Sequence, residues 1–557
     1  MATVERAPTQ PTHEVLNQPP PLESYNLFAD DAALVEALRR EGGDWAEDQA
    51  RELGARCGLP QTIRWGVEAN QNPPKLRTHD RFGNRVDEVE FHPAWHELMR
   101  IGVGHGLHAL PWRQPQPGAH VARGALFMLL TQVEAGVGCP ISMTYSVIPA
   151  LRTQPELAAE WEPRFLSLSY DGERLVPAPD KQGALCGMGM TEKQGGSDVR
   201  ANTTTARPLN GGGPGGEYEI TGHKWFFSAP MCDAFLVLAQ AEGGLSCFLL
   251  PRFTPDGERN RLHLQRLKDK LGNRSNASSE VEFAGAWARL VGEEGRGVPT
   301  IIDMVNHTRL DCVLGVAAGA RWGTAAAIHH CTHREAFGKR LADQPLMQNV
   351  LADLAIESEA ATVAAMRIAR AFDEAHAGDE AAVEFRRLAT PVLKYWTCKR
   401  APVHAVEALE CLGGNGYVEE SGMPRLYRES PLASIWEGSG NVQCLDVLRG
   451  MARSPESVEA FLSELDEASA AEPRVAAAAS ALRGELGDLE AIESRARSVV
   501  ERMALALQGS LLVRYGDPAV ADAFCASRLQ GEGGLAFGTL PSGADFARII
   551  ERHSPGV

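Results

Sequence analysis

The chain has 557 residues, of which 44% are hydrophobic, and its formal net charge is −17 at pH 7. A chain of this length exceeds one ordinary core, so we expect two to four domains that are globular throughout. The negative charge argues against broad, nonspecific binding to nucleic acid or anionic lipid, because such binding depends on clustered Lys and Arg. A local groove lined by Lys and Arg is still compatible with this net charge.

The sequence also bears on the compartment. It contains no run of about 18 apolar residues, and residues 1–8 lack the basic and apolar regions of a secretory signal. The 11 cysteines include no Cys-x-x-Cys pair, which favours reduced thiols over a disulfide framework. We therefore predict a soluble, cytoplasmic protein with no membrane partner.

In chain order, residues 1–30 are rich in proline and predict an extended arm packed on a neighbour. Helical patterns with intervening loops follow, and they complete a first domain at residues 1–182. Short strand patterns then alternate with turns, which predicts an antiparallel, β-barrel-like domain at residues 183–290. Pro214 interrupts the glycine cluster at 211–216 and a strand pattern follows it, so we interpret the cluster as a hairpin connection, not a phosphate loop.

Two helical segments complete the chain. Residues 291–450 have the pattern of a helical bundle, and residues 451–557 form an Ala-rich, helix-favouring extension. The fold class is therefore α+β and mainly α. The extension is not basic: residues 452–557 hold 10 Arg and no Lys against 16 acidic residues, a net charge of −6.

The candidate catalytic residue is Glu437, in the run SIWEGSGN at residues 434–441. A carboxylate beside apolar bulk loses solvation, its pKa rises, and it becomes a better base toward a weak carbon acid. A glutamate followed by glycine is also common as a solvated residue near a helix start. The local sequence leaves both interpretations open.

Three other segments narrow the choice: GMTEKQGGSD at 189–198, REAFG at 334–338 and LGGNGY at 412–417. Their order and spacing, followed by the Trp-Glu-Gly turn, resemble the acyl-CoA dehydrogenase family of flavoproteins over about residues 95–450. Several ordered motifs are more specific than any single glycine-rich match. The resemblance implies a helical N-terminal domain, a middle β domain and a C-terminal helical bundle.

Further segments are similar to one branch of that family. They are NQPPPL at 17–22, GHKWFFS at 222–228 and KDKLGNRSNAS at 268–278. This branch is associated with the bacterial adaptive response to DNA alkylation.

The resemblance implies bound FAD, shared between subunits of a homotetramer. It places these residues at the flavin: Met190, Thr191, Gly196, Ser197, Phe226, Phe227, Ser228, Trp436, Ser439 and Asn441. It places these at the cofactor of the adjacent subunit: Arg334, Phe337, Gln348, Gly413, Gly414, Asn415 and Gly416. A plain β-turn at Gly196 and a core role for the aromatic strand are the alternatives. The chain departs from the family at Pro345, where a glutamine is usual.

The resemblance also implies the chemistry. Family members place the base at one of two positions, and the other position here is Thr308, before Arg309, so Glu437 is the family-consistent base. It would remove the α-proton of an acyl thioester while a β-hydride passes to the flavin. The backbone N–H of Glu437 would help to polarise the thioester carbonyl. Arg309 would aid substrate placement or form a helix-surface ion pair.

Three functions remain to be compared, and the resemblance favours a combination of the first two. The first is FAD-dependent oxidation of short or branched acyl-CoA esters, for which weak turnover is one expectation. The second is protection of DNA from alkylating agents, with double-stranded DNA as a partner; a purely structural flavoprotein is a weaker third. DNA binding would need arginines that folding brings together, and the candidates are Arg449, Arg495, Arg497, Arg502 and Arg514.

We predict no metal site from the sequence. His329 and His333 have the i, i+4 spacing of a ligand pair, with Cys331 between them, but no third ligand is evident nearby. Packed or surface histidines are the favoured interpretation. No Gly-x-Ser-x-Gly elbow is present, which argues against a hydrolase.

Overall fold

The computed structural model describes residues 12–172, 175–488 and 490–556, so residues 1–11 of the expected arm lie outside the described part. The N-terminal part is helical, as expected. Its helices are α1 (Ala32–Arg40), α2 (Glu47–Cys57), α3 (Pro60–Gln71), α4 (Pro93–Gly104), α5 (Leu110–Arg113), α6 (Ala119–Val133), α7 (Gly138–Leu151) and α8 (Pro155–Phe165).

One element of this part was not predicted. An antiparallel hairpin of β1 (Lys75–His79) and β2 (Arg85–Glu90) stands between α3 and α4. The Asp31 side chain starts α1 by accepting a hydrogen bond from the Leu34 N–H.

The middle part is a β domain. Its strands are β3 (Cys186–Gly189), β4 (Thr205–Pro208), β5 (Glu217–Ser228), β6 (Ala234–Ala241), β7 (Gly244–Pro251), β8 (Leu262–Leu267) and β9 (Ser278–Val291). The pairings β6–β4–β5–β9–β7–β6 close a ring, which gives the predicted barrel-like form. Most pairings are antiparallel as expected, but β3 and β4 pair with β6 in parallel. Residues 211–216 join the antiparallel strands β4 and β5, which confirms the hairpin connection.

The C-terminal part is again helical. It contains α9 (Gly297–His333), a small hairpin of β10 (Glu335–Ala336) and β11 (Lys339–Arg340), then α10 (Pro345–His376), α11 (Glu380–Glu410), α12 (Met423–Glu429) and α13 (Gly440–Arg453). The extension adds α14 (Glu456–Ser469), α15 (Pro473–Gly487), α16 (Ile492–Tyr515), α17 (Pro518–Phe524) and α18 (Phe546–His553).

The extension is part of the main core. One hydrophobic cluster runs from Leu34 of α1 through Leu314 of α9 to Leu507 of α16 and Ile549 of α18. Buried ion pairs add to this contact: Glu464 of α14 accepts hydrogen bonds from arginines of α10 and α16. The extension is therefore fused to the bundle.

The described residues include no helix long and apolar enough to cross a membrane. All 11 cysteines are buried free thiols, as the sequence predicted.

Candidate active site

The proposed base lies in a strained turn between α12 and α13. Glu437 has a φ of 55°, in the left-handed region that non-glycine residues rarely occupy, and Gly438 follows with a φ of 101°. The buried ammonium group of Lys394, on α11, donates to the carbonyl oxygens of Trp436 at 2.7 Å and of Gly438 at 2.5 Å. These two bonds bracket Glu437 from both sides.

The carbonyl of Glu437 itself is held by two further side chains. The Nε of Arg309, on α9, and the Nε2 of Gln443, on α13, each donate to it at 3.0 Å. Arg309 is buried, and its second arm forms an ion pair with Asp446 at 2.7 Å. Arg309 therefore forms an ion pair, as one of the two expectations had it, but the arginine is buried and supports the turn instead of lying on the helix surface.

The carboxyl group of Glu437 is half-buried and has one hydrogen bond. The hydroxyl of Thr308 donates to its Oε2 at 2.7 Å. Removal from water raises the pKa of Glu437, and the bond from Thr308 with the charges of Lys394 and Arg309 offsets only part of this rise. Within the described residues, the backbone N–H of Glu437 donates to no protein acceptor, so it is free to bind a ligand.

The segment 190–198 forms a tight loop next to β5. Gly196 lies against Thr191: a Cβ at this glycine would stand 2.3 Å from the Thr191 hydroxyl oxygen. The N–H of Trp225 donates to the Thr191 carbonyl at 2.8 Å and so joins the loop to β5. Met190 is half-buried and Ser197 is exposed, which leaves the outer face of the loop open.

A buried ion pair anchors this loop. Glu192 accepts a hydrogen bond from Lys224 at 2.8 Å, and both side chains are fully buried. The backbone N–H groups of Thr203 and Thr204 donate to the same carboxylate. Burial alone would raise the pKa of Glu192, but the hydrogen bonds from Gln194, Lys224 and the two threonines outweigh it, and the pKa falls below its usual range.

In β5, one of the predicted flavin contacts is wrong, that of the Phe227 side chain. Because side chains of a strand alternate between faces, Phe226 and Ser228 share one face and Phe227 lies on the other. The Phe226 ring is 52% exposed, whereas Phe227 is fully buried and packs on Phe235 with ring centroids 4.3 Å apart. The side chain of Phe227 is therefore a core residue and cannot contact a flavin on the Phe226 face.

Several polar groups near Glu437 lack partners. Burial raises the pKa of the Cys139 thiol to about 12, and its neighbours include Asn276, Glu437 and Ser228. Both polar atoms of the Asn276 amide are buried without a hydrogen-bond partner in the described residues, as is the indole Nε1 of Trp436. Unpaired buried polar groups are costly in a folded protein, and a bound polar molecule would satisfy them. These observations fit a ligand with ring heteroatoms, such as a flavin.

The remaining predicted cofactor residues form a second group at the end of α9. Phe337 is 99% exposed and has a φ of 54°, at the tip of the β10–β11 hairpin. The guanidinium of Arg334 donates to the carbonyl of Asn17, whose own side chain bonds the backbone of Glu335. Part of the N-terminal arm thus packs on its own chain, beside the predicted pyrophosphate contact.

The glycine segment belongs to the same surface. Gly413 and Gly414 are exposed, and a Cβ at either would meet no atom within 4 Å. The Asn415 side chain is near Gln18 of the arm, at 3.5 Å. Gly416 differs, because its Cβ would stand 2.0 Å from the carbonyl oxygen of Leu409. The absence of a side chain at Gly416 serves packing on α11, and this residue is buried, unlike Gly413 and Gly414.

Gln348 is half-buried on the first turn of α10, after Pro345 at its start. Gln344 donates to the carbonyl of Ala336 at 3.2 Å, so it braces the β10–β11 hairpin. Nearby, the ring of His329 contacts the carbonyl oxygen of Pro20 at 2.9 Å. Among the described residues, His329 and His333 belong to no group of three metal-binding side chains.

Ser439 and Asn441 stand at the start of α13. Ser439 is the N-cap residue, but its side chain makes no capping bond. The exposed Asn441 accepts a hydrogen bond at 2.8 Å from Arg497, on α16. The extension therefore reaches the edge of the predicted flavin site.

The other arginines proposed to bind DNA already have acidic partners. The pairs are Arg449 with Asp446 at 2.9 Å, Arg495 with Asp488 at 3.1 Å, Arg502 with Glu485 at 2.9 Å, and Arg514 with Glu464 at 2.6 Å. Folding thus pairs these charges and does not gather them into one basic surface.

Sequence reasoning missed four residues that shape the site: Glu192, Lys394, Gln443 and Thr308 in its role as a donor. Glu192 lies within the segment at 189–198, but nothing in the sequence around it indicates that Lys224 is its buried partner. Lys394 is more than 40 residues from the turn that it holds. The one signal in the sequence is weak: Lys394 stands in an apolar run, between Val392-Leu393 and Tyr395-Trp396.

Comparison with known families agrees with this architecture. Residues 17–172 match the family model "Adaptive response protein AidB N-terminal domain". Residues 187–286 and 295–452 match the middle and C-terminal domains of acyl-CoA dehydrogenases.

Individual relatives agree as well. AidB of Escherichia coli (strain K12) is 45% identical over 94% of this chain and 96% of its own length. Acyl-CoA dehydrogenase family member 11 of Caenorhabditis elegans is 30% identical over 89% of this chain and 85% of its own. The crystal structure of C. elegans ACDH-11 in complex with C11-CoA superposes with a TM-score of 0.83, at 27% identity, over 95% of both chains. The structure of the Bd2924 apo-form superposes with a TM-score of 0.82, at 28% identity, over 91% of this chain and all of the other. The chain therefore belongs to the acyl-CoA dehydrogenase family of FAD-dependent oxidoreductases and carries an AidB-type N-terminal domain.

Proposed function

We propose that this chain is an FAD-dependent acyl-CoA dehydrogenase in which Glu437 removes the α-proton of an acyl thioester. The geometry of Glu437 carries the proposal. Its main chain is held from three helices, its carboxyl group has a raised pKa, and its own N–H is free. A raised pKa makes a carboxylate a stronger proton acceptor, which a weak carbon acid requires.

The surrounding residues suit this reaction. Lys394 and Arg309 are buried cations close to Glu437, so they favour its ionised, base-competent form. Proton removal would place negative charge on the thioester oxygen, and the free N–H of Glu437 would stabilise that charge. FAD, when bound, would supply the hydride acceptor.

We further propose that residues of both groups hold FAD and that two subunits share each cofactor. At the flavin, the loop of Thr191 and the exposed face of Phe226 and Ser228 would contact the ring system. Across the interface, Arg334 would pair with the pyrophosphate and the open Gly413 and Gly414 would allow close approach of the diphosphate.

The exposed apolar surface of the second group supports an assembly. Phe337 is 99% exposed, and Leu346 and Tyr417 are each 84% exposed. Large apolar side chains in such positions mark interaction sites. A homotetramer would cover them and complete the cofactor site.

An acyl-CoA ester is the proposed substrate. The C. elegans relative was solved with C11-CoA, and the chains superpose over 95% of their length. Short or branched acyl groups are an expectation from the family resemblance alone, so a panel of chain lengths belongs in the assay.

Protection of DNA from alkylation is the second candidate function. The match of residues 17–172 to the AidB N-terminal domain favours it. The ion pairing of Arg495, Arg502 and Arg514 weighs against duplex binding by the extension, because each charge already has a partner. Titration of a labelled duplex at low and at physiological salt separates a specific site from weak nonspecific attraction.

Replacing the base tests the proposed chemistry. We expect Glu437→Gln to retain FAD but to reduce the rate of anaerobic flavin bleaching by acyl-CoA esters by at least about 10²–10⁴-fold, since the amide cannot accept the proton. Glu429→Gln is the matched control, because Glu429 is also a half-buried glutamate, and removal from water raises its pKa to about 7. Undiminished bleaching by Glu437→Gln would contradict the assignment.

Removing the hydroxyl at Thr308 tests the pKa argument. Its hydrogen bond stabilises the charged carboxylate, so Thr308→Val raises the pKa of Glu437 further. The base is active when ionised, and we therefore expect the acid limb of kcat/KM to move to higher pH by about one unit. Thr308→Ser keeps the hydroxyl and leaves the limb in place; an unshifted limb in Thr308→Val would show that this bond does not tune the base.

Removing the guanidinium at Arg334 tests the shared cofactor site. Arg334→Ala should purify with much less FAD, because the pyrophosphate loses its paired cation. Arg483→Ala on α15, an exposed arginine paired with Asp466, should retain FAD. Equal flavin absorbance in the two variants would count against the interface assignment.

A further inference from the structure

Three histidines from distant parts of the chain meet where the N-terminal helices pack on the bundle. They are His120 at the start of α6, His307 on α9 and His376 at the end of α10. One ligand atom from each lies within 4.8 Å of the others. The ring centroids are 4.8, 5.5 and 5.8 Å apart. Neither the cofactor nor the proposed base uses these side chains.

Hydrogen bonds indicate which ring nitrogen of each histidine carries the proton and which keeps a lone pair. The Nδ1 atoms of His307 and His376 each lie 2.7 Å from a carbonyl oxygen four residues earlier, on Asp303 and Phe372. Since a carbonyl only accepts, each Nδ1 carries the proton and each Nε2 keeps its lone pair. The Nδ1 of His120 lies 2.6 Å from the hydroxyl of Tyr145, which can donate or accept; when it accepts, the Nε2 of His120 also keeps its lone pair.

One of these lone pairs is left without a partner. His307 is 97% buried, with a relative exposure of 3%, and its Nε2 is buried with no hydrogen-bond partner among the described residues. An orphaned acceptor of this kind is costly unless a donor or a metal ion satisfies it. In metal-binding histidines one ring N–H usually donates to a carbonyl or carboxylate while the other nitrogen contacts the ion, and His307 has this arrangement.

The local charges are compatible with a cation. Burial lowers the pKa of His120, His307 and His376, so the rings are neutral, which is the form that binds metal. The nearby cations Arg123 and Arg152 are paired with carboxylates, and Arg386 is the other cation facing the rings.

Two carboxyl groups lie next to the cluster. Asp373 accepts hydrogen bonds from the N–H groups of His120 and Val121, and Asp303 interacts electrostatically with Arg386. Burial raises the pKa of both, that of Asp373 to about 7, so they offset the positive charge around the rings only in part.

We propose that His120, His307 and His376 form a binding site for a divalent transition metal ion, Zn²⁺ in the first instance, through their three Nε2 atoms. Imidazole nitrogens suit this ion, and tetrahedral ligands about 2.1 Å from it lie about 3.4 Å from one another. Small side-chain rotations would bring the present cluster to that spacing. The bound ion would join α6, α9 and α10, beside the Thr308 that contacts the base, and would leave a fourth position open.

The competing explanation is aromatic packing. Trp112, Tyr145 and Phe372 surround the same rings, and stacked histidines need no metal to fill a core. Zinc retention separates the two explanations, because packing alone holds no ion.

The test uses the purified, FAD-containing full chain. After chelator treatment, the protein is dialysed against micromolar ZnCl2 and desalted, and zinc is measured by mass spectrometry alongside the thermal unfolding midpoint. We expect about one zinc per chain and a higher midpoint with zinc, because an ion that binds only the folded state stabilises it. His307→Gln and His376→Gln should abolish both effects.

The variants separate loss of zinc binding from loss of folding. His376 is at an exposed helix end, so its variant should fold even if the His307 variant does not. His105→Gln is the matched control, since its Nδ1 contacts the Ile101 carbonyl at 2.9 Å in the same way but its ring lies outside the cluster. Wild-type protein without zinc, or a His376 variant with a full equivalent, would overturn the proposal. Flavin content, measured in the same samples, reports independently on the proposed function.

Discussion

The strained backbone at Glu437 is the constraint on which the proposed site depends. A non-glycine residue in a sparsely populated backbone region costs about 1–3 kcal/mol, and it persists only where its surroundings hold it. Here Lys394 and Arg309 make three charge-assisted bonds to the carbonyls of residues 436–438. Each such bond contributes about 1.5–3 kcal/mol, which is of the same order as the cost of the strain. The carboxyl group and the N–H of Glu437 are then left available for a substrate.

The loop at residues 190–198 is held in a similar way. Glu192 and Lys224 form a buried pair that ties the loop to β5, and the carboxylate also binds the backbone of Thr203 and Thr204. A fully hydrogen-bonded buried network is rigid, whereas a partly satisfied one is costly. In both places buried charged side chains bind main-chain atoms or each other. Such preorganisation is what electrostatic catalysis requires.

The sequence was sufficient for the architecture because ordered motifs and hydrophobic periodicity are local signals. The three parts and the helical extension were predicted, whereas the β1–β2 hairpin was missed because its exposed strand β1 lacks a clear apolar alternation. Phe227 was misassigned, although the twofold alternation of a strand already separates it from Phe226 and Ser228. Gly416 was misread for a different reason, because the carbonyl of Leu409 that excludes a side chain there is visible only after folding.

Contacts between side chains that are distant in sequence could not be predicted in the same way. Thr308 contacts Glu437 across 129 positions of sequence, and Lys394 reaches the turn from another helix. The three histidines of the proposed metal site come from α6, α9 and α10, with no spacing pattern to connect them. Tertiary packing alone brings such side chains together.

The most direct measurement of the central claim is a kinetic isotope effect. Acyl-CoA deuterated at the α-carbon is mixed anaerobically with the wild-type protein, and flavin reduction is followed by stopped-flow absorbance. If Glu437 removes the α-proton in the rate-limiting chemical step, reduction is severalfold slower than with the unlabelled ester, and the effect is largest near the acid limb. Reduction of the flavin at the same rate with both esters at every pH would contradict the account.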